Sequence, residues 1–265
     1  DYGRFFSASY LFAGRERNSF SAFGSIGSSH FGRWWIDSGG STQIRFYLLR
    51  EESEGKYFVG LTGPLGAGKS VVGRIWEDLG AGLVIGDIMG VWALLLDEDV
   101  RRRLVERFGG QILKSDGSLD RAALAKVAFA ALEGQRDLTA ITFPTLYRLA
   151  KDEMATLSLI CDTVVFDAAL IYEWGVEKDF DLIVVVTAPR DMLIERVLER
   201  GGLSYSEIIA RLDSQIPAEF KVARADRVIF NDGSLEDLTS QAEAMWQEIV
   251  KLARIKYKAA QKSAD

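Results

Sequence analysis

From Lys56 onward the chain alternates short apolar runs with segments whose apolar residues recur every three or four positions, the periods of strand and helix. Lys56-Tyr57-Phe58-Val59-Gly60-Leu61 reads as a short buried strand. Val71, Ile75 and Leu79 repeat at helical spacing until Gly80 stops the helix. Leu83-Val84-Ile85 is a second strand, and Met89 to Leu96 a helix. Asp97 to Phe108 carries Val100, Leu104 and Phe108 on one face and stops at Gly109-Gly110. Ser115-Asp116-Gly117-Ser118 is a turn, and Asp120 can cap a helix that turns Leu124, Val127 and Ala131 inward. Another helix runs from about Arg136 into the Met154 region, where Phe143-Pro144 is expected to kink or break it.

The sheet resumes with Thr163-Val164-Val165-Phe166, followed by Asp167. Asp181 to Val186 is a near-continuous apolar run, the mark of a strand buried on both faces of a parallel sheet. Asp191 to Arg200 is a helix with Ile194, Val197 and Leu198 inward. Ser204-x-x-Glu207 is a capping box for a helix to about Leu212. Arg227 to Phe230 is the last strand. Ser234-x-x-Asp237 opens a long amphipathic helix through Leu238, Met245, Ile249 and Leu252, and the polar tail over 254–265 is expected to fray. Strands alternating with helices predict an α/β fold, a doubly wound parallel sheet of about five strands, with 56–253 as its domain and 87–160 as a helical insertion.

Residues 1–55 break this pattern. Ser and Gly cluster around Ser19–Ser29 and Ser38–Ser41, and the aromatics Phe5, Phe6, Tyr10, Phe12, Phe20, Phe23, Phe31, Trp34 and Trp35 follow no period. Only Ile44, Phe46 and Leu48 alternate as a strand would. The chain does not begin with Met, and Arg4, Arg15, Arg17 and Arg33 among serines have a transit-peptide composition. The expectation is a poorly ordered extension, with a docking role for its aromatics as the alternative.

Composition narrows the chemistry. The chain has 265 residues, 48% of them hydrophobic, enough for a sizeable core. A net charge of −6 gives no basic footprint for nucleic acid. No apolar run reaches membrane-spanning length. Cys161 is the only cysteine, so no internal disulfide can form, which fits a reducing, cytoplasmic setting; it reads as a small buried hydrophobe. His30, the one histidine, reads as solvated, which excludes His-cluster metal sites. Carboxylates, Lys, Arg and a nucleotide-bound metal must then carry any catalysis. Composition leaves open a monomer or a small homo-oligomer.

Between the first strand and the first helix lies Gly63-Pro64-Leu65-Gly66-Ala67-Gly68-Lys69-Ser70, the G-x-x-x-x-G-K-S pattern of a phosphate-binding P-loop. Glycines let successive backbone N–H groups point into one concavity that holds phosphate oxygens. Lys69 supplies a charge to the β- and γ-phosphates. Ser70 offers a hydroxyl to Mg²⁺ and opens a helix whose positive end faces the phosphates. The strand before and the helix after are the context this mechanism requires.

Two other features point to the same chemistry. Asp87 follows a strand, where open α/β sheets place ligands; capping the next helix is its alternative role. Arg196 and Arg200 share one helix face, and like charges at that spacing are unfavourable unless an anion sits between them. A polyphosphate suits arginine's planar fork, whereas pairing with Glu195 or Glu199 is the plainer reading. Gly201-Gly202 supplies a joint, which makes 196–222 a candidate lid.

Together these residues resemble the dephospho-CoA kinase family. The resemblance covers about residues 57–250 and rests on the P-loop, Gly80-Ala81 leading to Asp87, Arg107-Phe108-Gly109 and Leu119-Asp120-Arg121-Ala122-Ala123-Leu124. It continues through Ile141-Thr142-Phe143-Pro144, Phe166-Asp167 to Glu173, Arg196 with Arg200, Arg211-Leu212-Asp213-Ser214-Gln215, Ala225-Asp226 and Asn231-Asp232-Gly233-Ser234. It implies a P-loop kinase that transfers the γ-phosphoryl group of ATP to the 3′-hydroxyl of dephospho-CoA, the last step of coenzyme A biosynthesis. It further implies that Gly63, Leu65, Gly66, Ala67, Gly68, Lys69, Ser70 and Val71 hold ATP. Asp87 would be the base for the hydroxyl, Arg196 and Arg200 would be lid arginines, Asn231 would lie near the adenine, and the insertion would bind the acceptor. Three positions depart from the family. Ile85 replaces the first Asp of its D-A-D, Phe143 the His of its T-H-P, and Ala169 the Pro of its V-P-L-L. The alternatives are a related kinase with another small hydroxyl acceptor, or a nucleotide-binding module with weak catalysis.

Overall fold

The computed structural model describes residues 19–25, 31–37 and 56–264. The chain divides into two units, Asp1–Ser53 and Glu54–Asp265. In the first, β1 (Ser19–Ser25) pairs antiparallel with β2 (Phe31–Asp37), Phe20 opposite Ile36. Aromatic residues favour strands even without period. His30 and the strand expected over 44–48 lie outside the described residues.

The second unit is built on a five-stranded parallel sheet. Its strands are β3 (Tyr57–Thr62), β4 (Gly82–Ile85), β5 (Thr163–Asp167), β6 (Leu182–Thr187) and β7 (Arg227–Phe230), in spatial order β4-β5-β3-β6-β7. β5 and β6 are buried at every position, as central strands covered on both faces must be.

Successive side chains of a strand face opposite ways, and β5 shows what covers each face. Val165 joins a core with Val72 and Trp76 of α1 (Lys69–Asp78), Leu193 and Val197 of α6 (Arg190–Arg200), and Ala242 and Ile249 of α9 (Leu235–Ala264). Trp76 donates its indole N–H to the Ala242 carbonyl at 2.8 Å, tying α1 to α9. Phe166 points the other way and packs with Tyr147 of α5 (Leu132–Ser158), Trp174 and Phe180.

The insertion between β4 and β5 holds α2 (Gly86–Leu96), α3 (Glu98–Phe108), α4 (Arg121–Ala128) and α5. It has its own core, with Val100, Leu104, Phe108, Ile112, Leu119, Leu124, Ala128 and Ile141 buried together. Asp97 caps α3 and Asp120 caps α4, each accepting two backbone N–H bonds. α5 corrects one expectation: it runs unbroken through Pro144. Both Pro144 and Ala140, whose carbonyl the proline leaves without a helical partner, are exposed, so water can take that bond. Ile141, Leu146, Tyr147 and Ala150 hold the helix on either side by burial.

Beyond α6 come α7 (Tyr205–Ser214), opened by the Ser204–Glu207 capping box, and α8 (Ala218–Arg224). α9 continues through the tail that was expected to fray. Lys256 reaches back to the Asp181 carboxylate at 2.7 Å and to the Lys56 carbonyl, which ties that end of the helix to the start of the sheet. Among the described residues, no helix is long and apolar enough to cross a membrane.

Candidate active site

Because β3, β4 and β5 run parallel with β5 in the middle, their carboxyl ends meet. In register, Leu61 and Ile85 both stand opposite Asp167. Thr62, the P-loop, the start of α2 and Asp167 therefore converge on one place.

The P-loop leaves β3 at Gly63 and enters α1 at Lys69. Gly63 has φ +144°, and a Cβ there would stand 2.0 Å from the Val186 carbonyl oxygen. Gly68 has φ +98°, and its Cβ would stand 2.5 Å from the Asn231 amide nitrogen. Only glycine satisfies both conformation and space. Gly66 and Ala67 are buried, Leu65 is half-buried, and Ser70 and Val71 are exposed in the first turn of α1.

The Lys69 ammonium donates to the Gly63 and Pro64 carbonyls at 2.9 and 3.1 Å. Burial pushes its pKa below the ordinary lysine value; Asp167 and then Asp87 oppose that shift, while Lys221 and Arg200 add to it. Five charged groups thus share one electrostatic neighbourhood. Asp167, only 6% exposed, is raised to about 6 by burial, with Lys69 opposing and Asp87 adding to the rise. Asp87 is exposed in the first turn of α2. That helix begins one residue earlier with Ile85 as its N-cap and no side-chain cap bond, so Asp87 does not serve as the cap.

The two arginines part company. Arg196 is half-buried and donates to the Asn231 backbone carbonyl at 2.8 Å and to its Oδ1 at 3.4 Å. Arg200, at the exposed end of α6, is the one whose charge reaches Lys69. Asn231 is 7% exposed, and its amide donates to the Ala67 carbonyl at 2.9 Å, so it braces the P-loop.

Segment 201–222 is anchored rather than free: Ile208 and Leu212 of α7 belong to the main core. Arg211 lies over the Phe129 ring at 4.6 Å, where α7 meets the end of α4.

Phe143 stacks on Trp174 and Tyr147, with ring centroids 4.9 and 5.4 Å apart. The Ala169 carbonyl accepts from the Thr62 hydroxyl at 3.2 Å and from the Lys221 ammonium at 2.7 Å. Around this loop the buried atoms Tyr172 Oη, Glu173 Oε2, Trp174 Nε1, Glu177 Oε2 and Gln215 Oε1 have no protein partner. Buried polar groups are almost always satisfied, so this stretch has unused hydrogen-bonding capacity for water or a ligand.

Sequence reasoning did not assign Asp167, Thr62, Glu173 or Lys221. For Asp167 a signal existed, a carboxylate closing an apolar strand, the same pattern that singled out Asp87. For Lys221 there was none, since a lysine in an amphipathic segment reads as solvated.

Donor chemistry at the site suits Mg²⁺. The Ser70 hydroxyl, Asp87 and Asp167 offer only oxygens, the ligands of a hard cation. Among the described residues, no group of three or more His, Cys, Asp or Glu could hold a metal ion.

The family model for dephospho-CoA kinase matches residues 57–237. A dephospho-CoA kinase of Syntrophotalea carbinolica is 37% identical over 193 residues, 72% of this chain and 92% of the relative. One of Geobacter sulfurreducens is 39% identical over 189 residues, 71% of this chain and 96% of the relative. Among solved structures, a protein of Thermus thermophilus aligns with TM-score 0.62 at 32% identity, covering 74% of this chain and 98% of its own. A dephospho-CoA kinase of Campylobacter jejuni aligns with TM-score 0.54 at 27% identity, with the same coverages.

Proposed function

The chain belongs to the dephospho-CoA kinase family, ATP-dependent enzymes that phosphorylate dephospho-CoA, and we propose that the junction of β3, β4 and β5 is where its transfer takes place. The observation that carries this reading is the register that sets Leu61 of β3 and Ile85 of β4 opposite Asp167 of β5, which brings the P-loop, Asp167 and the start of α2 together; the charges of Lys69, Asp87, Asp167 and Arg200 act on one another there.

ATP lies with its phosphates against the backbone N–H groups of Gly66 to Val71. Lys69 exchanges the Gly63 and Pro64 carbonyls for the β- and γ-phosphates. The Ser70 hydroxyl and the Asp167 carboxylate are the oxygens that would hold Mg²⁺, which would supply charge neutralisation for the transferring group. Asp87 orients the 3′-hydroxyl and takes its proton. Lys69 and Arg200 stabilise the charge of a loose transition state, in which little covalent work is left to the protein. Arg196 and Asn231 act at one remove, holding Ala67 and so the curl of the loop. The helical insertion binds the acceptor. Ile85 removes a like charge near Asp87, and its strand neighbour Asp167 supplies a carboxylate one position across the sheet. We assign the enzyme to the cytoplasm, where its single cysteine stays reduced and its substrates are small soluble molecules.

The test is steady-state kinetics on wild type and Asp87→Asn, varying ATP and dephospho-CoA separately. Asn keeps the shape and loses the base. Transfer is expected to fall to background while ATP affinity stays within about threefold. Near-normal kcat in Asp87→Asn would remove Asp87 as the base. Tight ATP binding without transfer in wild type would make the chain a nucleotide-binding module.

A further inference from the structure

Lys221 is fully buried, with 0% exposure, on α8. Its ammonium makes two contacts: an ion pair with Glu173 Oε1 at 2.8 Å and a hydrogen bond to the Ala169 carbonyl at 2.7 Å. Glu173 Oε1 also accepts the Ile216 N–H at 2.9 Å. The same Ala169 carbonyl accepts from Thr62, the last residue before the P-loop. One peptide oxygen therefore joins the end of β3, the loop after β5 and the helix beyond the Gly201-Gly202 joint. A second pair, Arg224 with Glu177 at 2.5 Å, fastens α8 to the same loop two residues past Gly175.

Fold stability is a weak reason for such an arrangement. Desolvating two charges costs several kcal/mol, and a well-packed apolar pair of similar volume is often as stable or more so. An apolar side chain, however, cannot fix a peptide carbonyl. Lysine can, since its three donors reach two oxygens at once. Lys221 also lies close enough for its charge to act on Lys69.

We infer that Lys221 is a positioning residue for phosphoryl transfer, which holds the Ala169 peptide and the loop after β5 in register with the P-loop so that the acceptor hydroxyl lines up with the γ-phosphate. This rests on the acceptor-side placement of that loop proposed above. The glutamate is the counter-ion that makes the buried ammonium tolerable. Its remaining oxygen, and the neighbouring unpartnered Gln215 Oε1, leave the loop able to bond further on the acceptor side. Ala169 has no ring to fix its backbone, so its position rests on the lysine and threonine donors that share its carbonyl.

The test compares wild type, Lys221→Met and the double variant Lys221→Met with Glu173→Leu. Melting temperature, ATP-analogue affinity, the KM for dephospho-CoA and ADP release with and without acceptor are measured, with rates expressed per nucleotide-binding site. Lys221→Met alone leaves Glu173 buried and uncompensated and should melt lower. The double variant should regain most of that stability. Its transfer per site should remain reduced on the order of ten- to hundredfold, the scale for a misplaced reacting group. Its KM for dephospho-CoA should be raised, its ATP affinity kept within about threefold, and a larger share of its ADP released without transfer. Recovery of both stability and transfer would make the pair purely structural and overturn the inference. So would a parallel loss of ATP affinity, which would put the effect in the nucleotide site. If Lys221→Met does not fold, the double variant carries the comparison. Wild type that fails to phosphorylate dephospho-CoA would sink the functional reading instead, a result distinct from an active double variant.

Discussion

At the scale of single residues, the site is an arrangement of opposed charges under partial burial. Asp167 is its sensitive member. Burial lifts it to about 6, against the pull of Lys69, while an unfolded chain ionises near the ordinary aspartate value. Between those two values the folded state holds a proton that the unfolded state has lost. Stability therefore falls as pH rises from about 4 to about 6 and is flat with respect to this group above that window. Two pKa units correspond to at most about 3 kcal/mol. In nucleotide-free, metal-free protein, Asp167→Asn should melt several degrees above wild type at pH 7.5, at roughly 2–4 °C per kcal/mol, and near wild type at pH 4. Scanning calorimetry at the two pH values decides it, and an equal difference at both would show that Asp167 is not raised. The places of Lys69 and Ser70 at the start of α1 and of Asp87 just past β4 were legible because a strand-loop-helix pattern and a strand end are local features of sequence. Arg196 and Asn231 were legible only as positions. Their contact with each other, and with Ala67, depends on how α6 and β7 meet, which no local pattern encodes.

At the scale of elements, local signals served well wherever a cap or a period set the outcome. Asp120, Ser204 with Glu207, and Ser234 with Asp237 open their helices as their side chains require. They failed at Pro144 within α5, where burial on either side outweighs the bond that the proline removes. The segment after α6 shows both sides. Gly201 and Gly202 adopt φ +74° and +87°, with open space around them, as a joint needs. Yet α7 beyond them buries Ile208 and Leu212 in the core, so the closure proposed for this segment would be a tightening of a docked element. Arg200 sits at the end of α6, directly before the joint, and the proposed function makes a polyphosphate its partner. ATP should accordingly slow limited proteolysis at Gly201-Gly202 severalfold. Arg200→Ala should abolish most of the protection while leaving cleavage of the nucleotide-free protein unchanged. Identical cleavage with and without ATP would reduce Arg200 to a surface charge.

At the scale of the whole molecule, what matters is which part of the chain builds the kinase unit. Its sheet begins at Tyr57, and among the described residues the two cores named above are composed of residues between Tyr57 and Ala253. The relatives from Syntrophotalea and Geobacter are covered over 92% and 96% of their lengths by only 72% and 71% of this chain. The family match starts at residue 57, so the share of this chain without a counterpart lies largely before it. Within that extension the β1–β2 hairpin pairs only with itself among the described strands, and the chain divides at Ser53. An isolated two-stranded hairpin has little stability of its own, and a segment that contributes no strand to the main sheet takes none from it when removed. Deleting residues 1–53 should therefore leave the melting temperature within about 2 °C, since less than 1 kcal/mol would be lost. Both KM values and kcat should stay within about twofold. Lys56 should be kept in the truncated chain, because its carbonyl accepts from Lys256 and links the start of β3 to the end of α9. The decisive comparison is full-length against truncated protein in calorimetry and in the transfer assay. A drop of several degrees, or a raised KM for dephospho-CoA alone, would mean that the aromatics of the extension dock on the kinase unit, the second outcome placing them at the acceptor side.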